Sequence, residues 1–187
     1  MAWADDFAAA ASDLTAAIAA SANDPADAIR LLLPLCAWMP DSLPGTGALS
    51  TAARAGREAI AANLRAAACA DLARSAAAYQ PSSYQDAQGL RTIVCAALDA
   101  EATRCADAGR DQTWAALRSL RAAVALDLGQ RGASLPLLVT IRTAQSTPSL
   151  AETWTLYQDT PREPDLVAAA DPPHPLFMPL SFPALQK

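Results

Sequence analysis

The run Ser149-Leu-Ala-Glu-Thr-Trp-Thr-Leu-Tyr-Gln-Asp159, followed by Asp165-Leu-Val-Ala-Ala-Ala-Asp171 and His174-Pro-Leu-Phe-Met-Pro179, is the part of this 187-residue chain that cannot be read as another alanine-rich helix. Its aromatic residues, its prolines and the sole histidine of the sequence set it apart from everything upstream. Ser149 or Thr147 is placed to cap a short helix carrying Leu150, Trp154 and Tyr157. A second short helix fits between Pro161 and Ala170, with Pro164 in its first turn and Leu166 and Val167 as buried positions. Just before this pair, Leu135-Pro-Leu-Leu-Val-Thr-Ile141 turns to branched apolar residues, and Leu138–Arg142 reads as a strand bounded by Pro136 and by Ser146-Thr-Pro148. Just after it, the four prolines Pro173, Pro175, Pro179 and Pro183 allow at most a short edge strand in the segment from His174 to Leu185. The order is strand, helix, helix, strand, a unit whose small core is expected to gain from docking.

Working outward, the upstream chain has helical spacing almost throughout. Trp3, Phe7, Ala11, Leu14 and Ile18 form one stripe of a first helix. Asn23-Asp24-Pro25 stops it and starts another, with Asp24 as N-cap and Pro25 in the first turn. That second helix is expected to reach about Trp38 and to kink or break at Pro34, because proline lacks the N–H and clashes with the preceding turn. Met39 to Gly47 is a proline- and glycine-rich loop. From about Ser50 to Tyr79, Ile60, Leu64, Ala68 and Leu72 recur every fourth residue, with Arg54, Arg57, Arg65 and Arg74 assigned to the solvated side. Ser83 and Asp86 resemble a capping box for a helix to Asp107 that carries Leu90, Ile93, Val94, Ala97 and Leu98. A further helix from Asp111 to about Arg131 turns Trp114, Leu117, Leu120, Val124 and Leu128 inward. Short connections make these last three helices antiparallel neighbours.

The expected fold is therefore mainly α: an antiparallel, Ala-rich helical bundle with a small C-terminal βααβ unit. The expected divisions are 1–47 (N-terminal helices and loop), 48–132 (bundle) and 133–187 (C-terminal unit).

Composition removes several functions. The net charge of −5 supplies no basic field for a phosphate backbone, which argues against nonspecific nucleic-acid binding, and specific DNA binding is not expected either. The most apolar run, Ile29 to Met39, contains Pro34 and falls short of the roughly 20 residues a bilayer crossing needs, so no membrane insertion is expected. Cys36, Cys69, Cys95 and Cys105 show neither CxxC spacing nor a nearby histidine. They read as small buried apolar residues, with no metal site and no cofactor. No charged leader precedes Trp3-Ala-Asp-Asp-Phe7, which makes the reducing cytoplasm the default compartment.

Taken together, strand, Leu-Ala-x-x-Trp-x-Leu-Tyr-x-Asp, second helix, and His-Pro-x-Phe-x-Pro resemble the C-terminal signature of the DNA circulation (DNA circularisation) protein family of Mu-like phages and prophages. Leu150, Tyr157, Asp159, Leu166, His174, Pro175, Phe177 and Pro179 match that pattern, and Arg162 stands near a family arginine. Asp171 stands where the family usually has asparagine and Leu176 where it usually has glycine. Upstream, Ser82-Ser-Tyr-Gln-Asp-Ala87, Trp114-Ala-Ala-Leu-Arg-Ser-Leu-Arg121, Leu135-Pro136, Trp3 to Phe7 and Asp24-Pro25 are similar to its helical part. The resemblance implies a member that begins after the family's separate N-terminal domain. The resemblance implies a lysin-motif-like C-terminal unit and a virion component of a phage tail, made in the host cytoplasm. Its partners would be tube, tape-measure and baseplate-hub proteins, and several copies would form a ring.

No Gly-rich phosphate loop, metal-ligand cluster or paired nucleophile and base accompanies these residues, so no enzyme is expected. His174 reads as the anchor of the turn before Pro175, Asp159 as closing the turn after the first short helix, and Asp171 as starting a turn with Pro172. Trp154 and Tyr157 read as core or interface, Arg118 and Arg121 as a solvated face. Two roles follow: an assembly adaptor in a tail, or a peptidoglycan-binding module used during infection.

Overall fold

The computed structural model describes residues 2–186, with side-chain environments from Asp6 onward. Among the described residues there are seven α-helices, one 3-10 turn and a two-stranded antiparallel sheet, so the protein is mainly helical with a small C-terminal β unit. Contacts divide the chain into two units, Met1–Gln80 with Gly89–Gly129, and Pro81–Gln88 with Gln130–Lys187. No described helix is long and apolar enough to cross a membrane.

The first unit contains α1 (Ala2–Ala20), α2 (Pro25–Cys36), α3 (Ala48–Ala78) and most of α4 (Tyr84–Asp107) and α5 (Asp111–Ala133). The side chain of Trp3 lies outside the described residues. Asp24 caps α2 as expected, its carboxylate accepting from the Asp27 N–H at 2.8 Å. The helix is not broken at Pro34 but runs through it and stops two residues later, at Cys36. Proline there costs one donor in a last turn that ends anyway. Gly109, at φ +67°, closes α4.

Ile29, Leu32 and Cys36 of α2, Ala68, Cys69, Leu72 and Ala76 of α3, Val94 and Leu98 of α4, and Leu117, Val124 and Leu128 of α5 make one core. The polar cross-links give the helix directions. Arg65 meets Glu101 across the α3–α4 turn, and Arg118 and Arg121 both meet Asp99 across the α4–α5 turn. In each case the partners lie at comparable chain distances on either side of the turn, as antiparallel neighbours must. Arg118 and Arg121 thus form a paired surface cluster.

Several expected core positions are corrected. Leu14, Ile60, Ile93 and Trp114 are exposed, and Leu64 is only half-buried. In their place Thr15, Ala61, Ala62 and Arg65 face inward. Alanine explains the error. A helix offering small apolar residues on several faces can present any of them, so spacing alone does not fix which face is buried. Thr15 follows the stripe Phe7, Ala11, Thr15, and its hydroxyl donates to the buried Asp71 carboxylate at 2.5 Å. Arg74 holds the same carboxylate from the solvent side.

Arg65 is the largest departure. Assigned to the solvated side by its charge, it is fully buried, as is its partner Glu101. Its Nε donates to Glu101 Oε2 at 2.7 Å, Nη2 to Glu58 Oε1 at 2.7 Å, and Nη1 to the Trp38 carbonyl at 3.1 Å. One guanidinium therefore joins α3, α4 and the start of the 37–47 loop. Arg57 and Arg54 hold the Asp41 and Gly45 carbonyls, so the loop follows α3 toward its N-terminus.

The second unit contains the start of α4, the end of α5, β1 (Leu138–Arg142), α6 (Ser149–Tyr157), a 3-10 turn (Thr160–Arg162), α7 (Glu163–Ala170) and β2 (Ser181–Leu185). This is the βααβ order. The strands pair antiparallel from Leu138↔Leu185 to Arg142↔Ser181, with Pro183 opposite Thr140. Ser83 caps α4 by accepting from the Asp86 N–H at 3.1 Å, and Asp86 accepts in return from the N–H of Ser82 rather than of Ser83. Neither Ser149 nor Thr147 caps α6. Pro148 is its N-cap residue, the Ser149 hydroxyl bonds Glu163, and the Thr147 hydroxyl bonds Glu152. The core is small: Tyr157, Leu166, Met178, Phe182 and Ala184, with Ile141, Leu156 and Ala170 packed against it.

Candidate interaction surface

The C-terminal motif separates into residues that build the unit and residues that stand out from it. Tyr157 and Leu166 belong to the core. Arg162 lies over the Tyr157 ring, 4.1 Å from its centroid, an arrangement in which the ring face attracts the cation. Burial pushes the Tyr157 hydroxyl pKa above the ordinary tyrosine range, while the Arg162 charge and the neighbouring Leu185 backbone pull the other way.

The turn-setting residues hold their turns mostly through the main chain. Asp159 precedes the 3-10 turn, and its carbonyl, not its carboxylate, accepts from the Arg162 N–H at 3.3 Å. Asp171 ends α7 in the left-handed region at φ 43°, a conformation that asparagine and aspartate tolerate better than most residues. His174 Nδ1 accepts from the Leu176 N–H at 3.1 Å, and its carbonyl accepts from the Phe177 N–H at 3.0 Å. Both bonds fold the chain around Pro175. The His174 and Phe177 rings stand 6.1 Å apart, tilted.

These turns bring two loops together, the one after β1 and the one before β2. Thr143 N–H donates to the Leu180 carbonyl at 2.9 Å, Met178 N–H to Thr147 at 3.1 Å, and Ser149 N–H to Pro175 at 2.7 Å. The Ser146 hydroxyl adds a bond to the Met178 carbonyl at 2.8 Å. The seam buries Met178, half-buries Pro179 and leaves Pro175 exposed.

Several apolar side chains near the seam are exposed. Leu150 and Trp154 lie one turn apart on α6, and Trp154 is 59% exposed. The Ser149–Pro175 bond sets the start of α6 beside the loop carrying Leu176 and Phe177, and Phe177 is 70% exposed. Leu180 follows, also exposed. Of the ten motif residues, then, the structure brings Leu150, Trp154 and Phe177 outward, and uses Tyr157, Asp159, Leu166, Asp171, His174, Pro175 and Pro179 to build the unit beneath them. Leu176 and Leu180 extend the apolar group without having been singled out as candidates.

On the first unit, a cavity of about 360 Å³ opens between α3 and α5, its lining including Ala70, Ala73, Arg74, Ala77, Leu120 and Val124. All four cysteines are free and buried. Among the described residues no group of histidine, cysteine and carboxylate side chains could hold a metal ion.

No protein-family model matches the chain, and no curated protein sequence matches it.

Proposed function

We propose that this chain is a structural component of a phage tail, at the junction of the tube and tape measure with the baseplate hub, where several copies act as assembly adaptors. The likeness to the phage family rests on the residue pattern from Leu150 to Pro179. The adaptor role rests on one observation: the core of the C-terminal unit is already filled by Tyr157, Leu166, Met178 and Phe182, yet Leu150, Trp154, Leu176, Phe177 and Leu180 remain exposed. Exposed apolar groups of this kind on a small unit mark protein contacts. Alanine-walled space between α3 and α5 offers a second place for a neighbour to approach closely.

Peptidoglycan binding, the alternative, would need an open groove between the loop after β1 and the loop before β2. The hydrogen-bonded seam occupies the backbone groups that would line such a groove, which favours the adaptor. Under this reading the chain has no catalytic role. Mass spectrometry of purified virions, with immunogold labelling, is expected to place the protein at the tail tip. Its recovery only from host cytosol, on phage DNA, would overturn the proposal, and saturable retention on purified cell wall would favour the alternative.

A further inference from the structure

The two strands of the C-terminal sheet leave two outer edges, and the chain treats them differently. The antiparallel register, together with the Thr143–Leu180 and Gln186–Leu137 backbone bonds, assigns the cross-strand hydrogen bonds to Leu137, Val139, Ile141 and Thr143. The N–H and C=O groups of Leu138, Thr140 and Arg142 therefore point away from β2. At Leu138 both are taken by one side chain: its N–H donates to Gln85 Oε1 at 2.8 Å, and its carbonyl accepts from Gln85 Nε2 at 3.0 Å. The Gln85 amide thus supplies the donor and acceptor that a residue of an adjoining strand would supply. Thr140 and Arg142 have no such partner among the described residues, and both side chains are exposed. The outer edge of β2 is blocked. Pro183, at its centre, has no N–H, and α7 packs against this strand.

We propose that the outer edge of β1, from Thr140 to Arg142, is a strand-addition site for an extended acidic segment of a partner protein. The backbone groups of Thr140 and Arg142 would bond the incoming segment, with Gln85 ending the ladder at Leu138. Charge selects the partner. Arg142 is the sole ionisable side chain of β1 and makes no ion pair among the described residues. Two-fold pairing of β1 with a second copy would bring two Arg142 side chains onto one short ladder, where like charges repel. An acidic segment places a carboxylate there instead. This inference does not depend on the tail reading.

The probe is the peptide acetyl-Thr-Val-Asp-Val-Thr-amide, added to the full chain and followed by amide NMR and hydrogen exchange. We expect shifts and protection at Thr140 and Arg142, lost when the peptide backbone is N-methylated or its aspartate is replaced by lysine. Thr140→Pro should abolish binding, since the N–H it removes faces outward and takes no part in the β1–β2 ladder. Arg142→Ala, which leaves the backbone intact, should weaken binding of the acidic peptide alone. Protection elsewhere, indifference to N-methylation, or no response to the peptide would overturn the proposal. So would protection of the same amides that grows with protein concentration in the absence of peptide, which would mean self-pairing.

Discussion

Arg65 and Glu101, on neighbouring helices and both fully buried, meet at 2.7 Å with no water-exposed atom between them. Burial acts to lower the Arg65 pKa, but the hydrogen bonds and charges of Glu58 and Glu101 outweigh it and hold the group above the ordinary arginine range. A raised folded pKa means stability that is lost only as pH rises through it, so this pair keeps its guanidinium charge across any practical pH. Neither charge is left wholly unpaired by loss of the other, because Glu101 also meets Arg104 at 3.1 Å and Arg65 also meets Glu58. Arg65→Met or Glu101→Leu alone should cost about 1–3 kcal/mol, and the double replacement should cost less than the sum of the two. A double-mutant cycle by urea unfolding measures it, and additive losses would mean that the two charges are not coupled.

Gly132 and Ala87 define a close approach within the C-terminal unit, where a Cβ on Gly132 would lie 2.8 Å from the Ala87 Cβ. Gly132→Ala should therefore destabilise by about 1–3 kcal/mol, despite alanine's higher helix propensity. Ala87→Gly in the same chain should relieve much of the loss. Thermal unfolding of the single and double variants tests both statements.

Trp154 and Phe182 are both large aromatic residues of the C-terminal unit, one exposed and one buried. Phe182→Ala should cost about 3–5 kcal/mol, while Trp154→Ala should fall within roughly 0.5 kcal/mol of wild type in the isolated protein. Under the proposed tail role, the Trp154 replacement should impair incorporation into virions without impairing folding. Comparing unfolding midpoints with virion content separates the two effects.

Tyr157 supplies a pH dependence with a definite sign. Its folded pKa is raised chiefly by burial, so its contribution is complete below the unfolded value of about 10 and is lost as pH rises from there toward the folded value. Denaturation measured between neutral pH and the alkaline limit should show this loss in wild type and a smaller one in Tyr157→Phe.

The cysteines should behave as core, not as reactive groups. The Cys69 thiol is pushed up by its hydrogen bond with Cys36 and by burial, and burial likewise raises Cys95 and Cys105. Thiolate is the reactive form, so alkylation of native protein should be slow and should accelerate with unfolding. Rapid labelling of Cys69 under native conditions would contradict its burial.

The elements were legible in the sequence, and their inward faces were less so. Asp24-Pro25, Ser83 and Gly109 announce helix ends through local chemistry, and the change to branched residues before Arg142 announces β1. Such signals act over one turn of chain. Which face of an alanine-rich helix is buried depends on partners far away in sequence, so spacing points Leu14 and Trp114 inward and passes over Thr15. Arg65 was placed outside because arginine usually is, and nothing near it in sequence names Glu101 as its counter-charge. At the candidate surface, the motif located the right unit but did not separate the side chains that fill it from those that project. Only the seam between the loops makes that division.

The Gln85 amide that ends the β1 ladder belongs to the first turn of α4, in a stretch separated by chain from the rest of its unit. The C-terminal unit is thus made of two threads, and no single cut yields it whole. A fragment beginning at Ser134 would keep both strands and both short helices but lose Gln85, Ala87 and the cap at Ser83. Transfer of this unit between proteins, by engineering or by recombination, would need a splice point ahead of Pro81 and would have to carry the intervening α4–α5 hairpin with it. Inheritance of the unit is therefore tied to inheritance of the helices it interrupts.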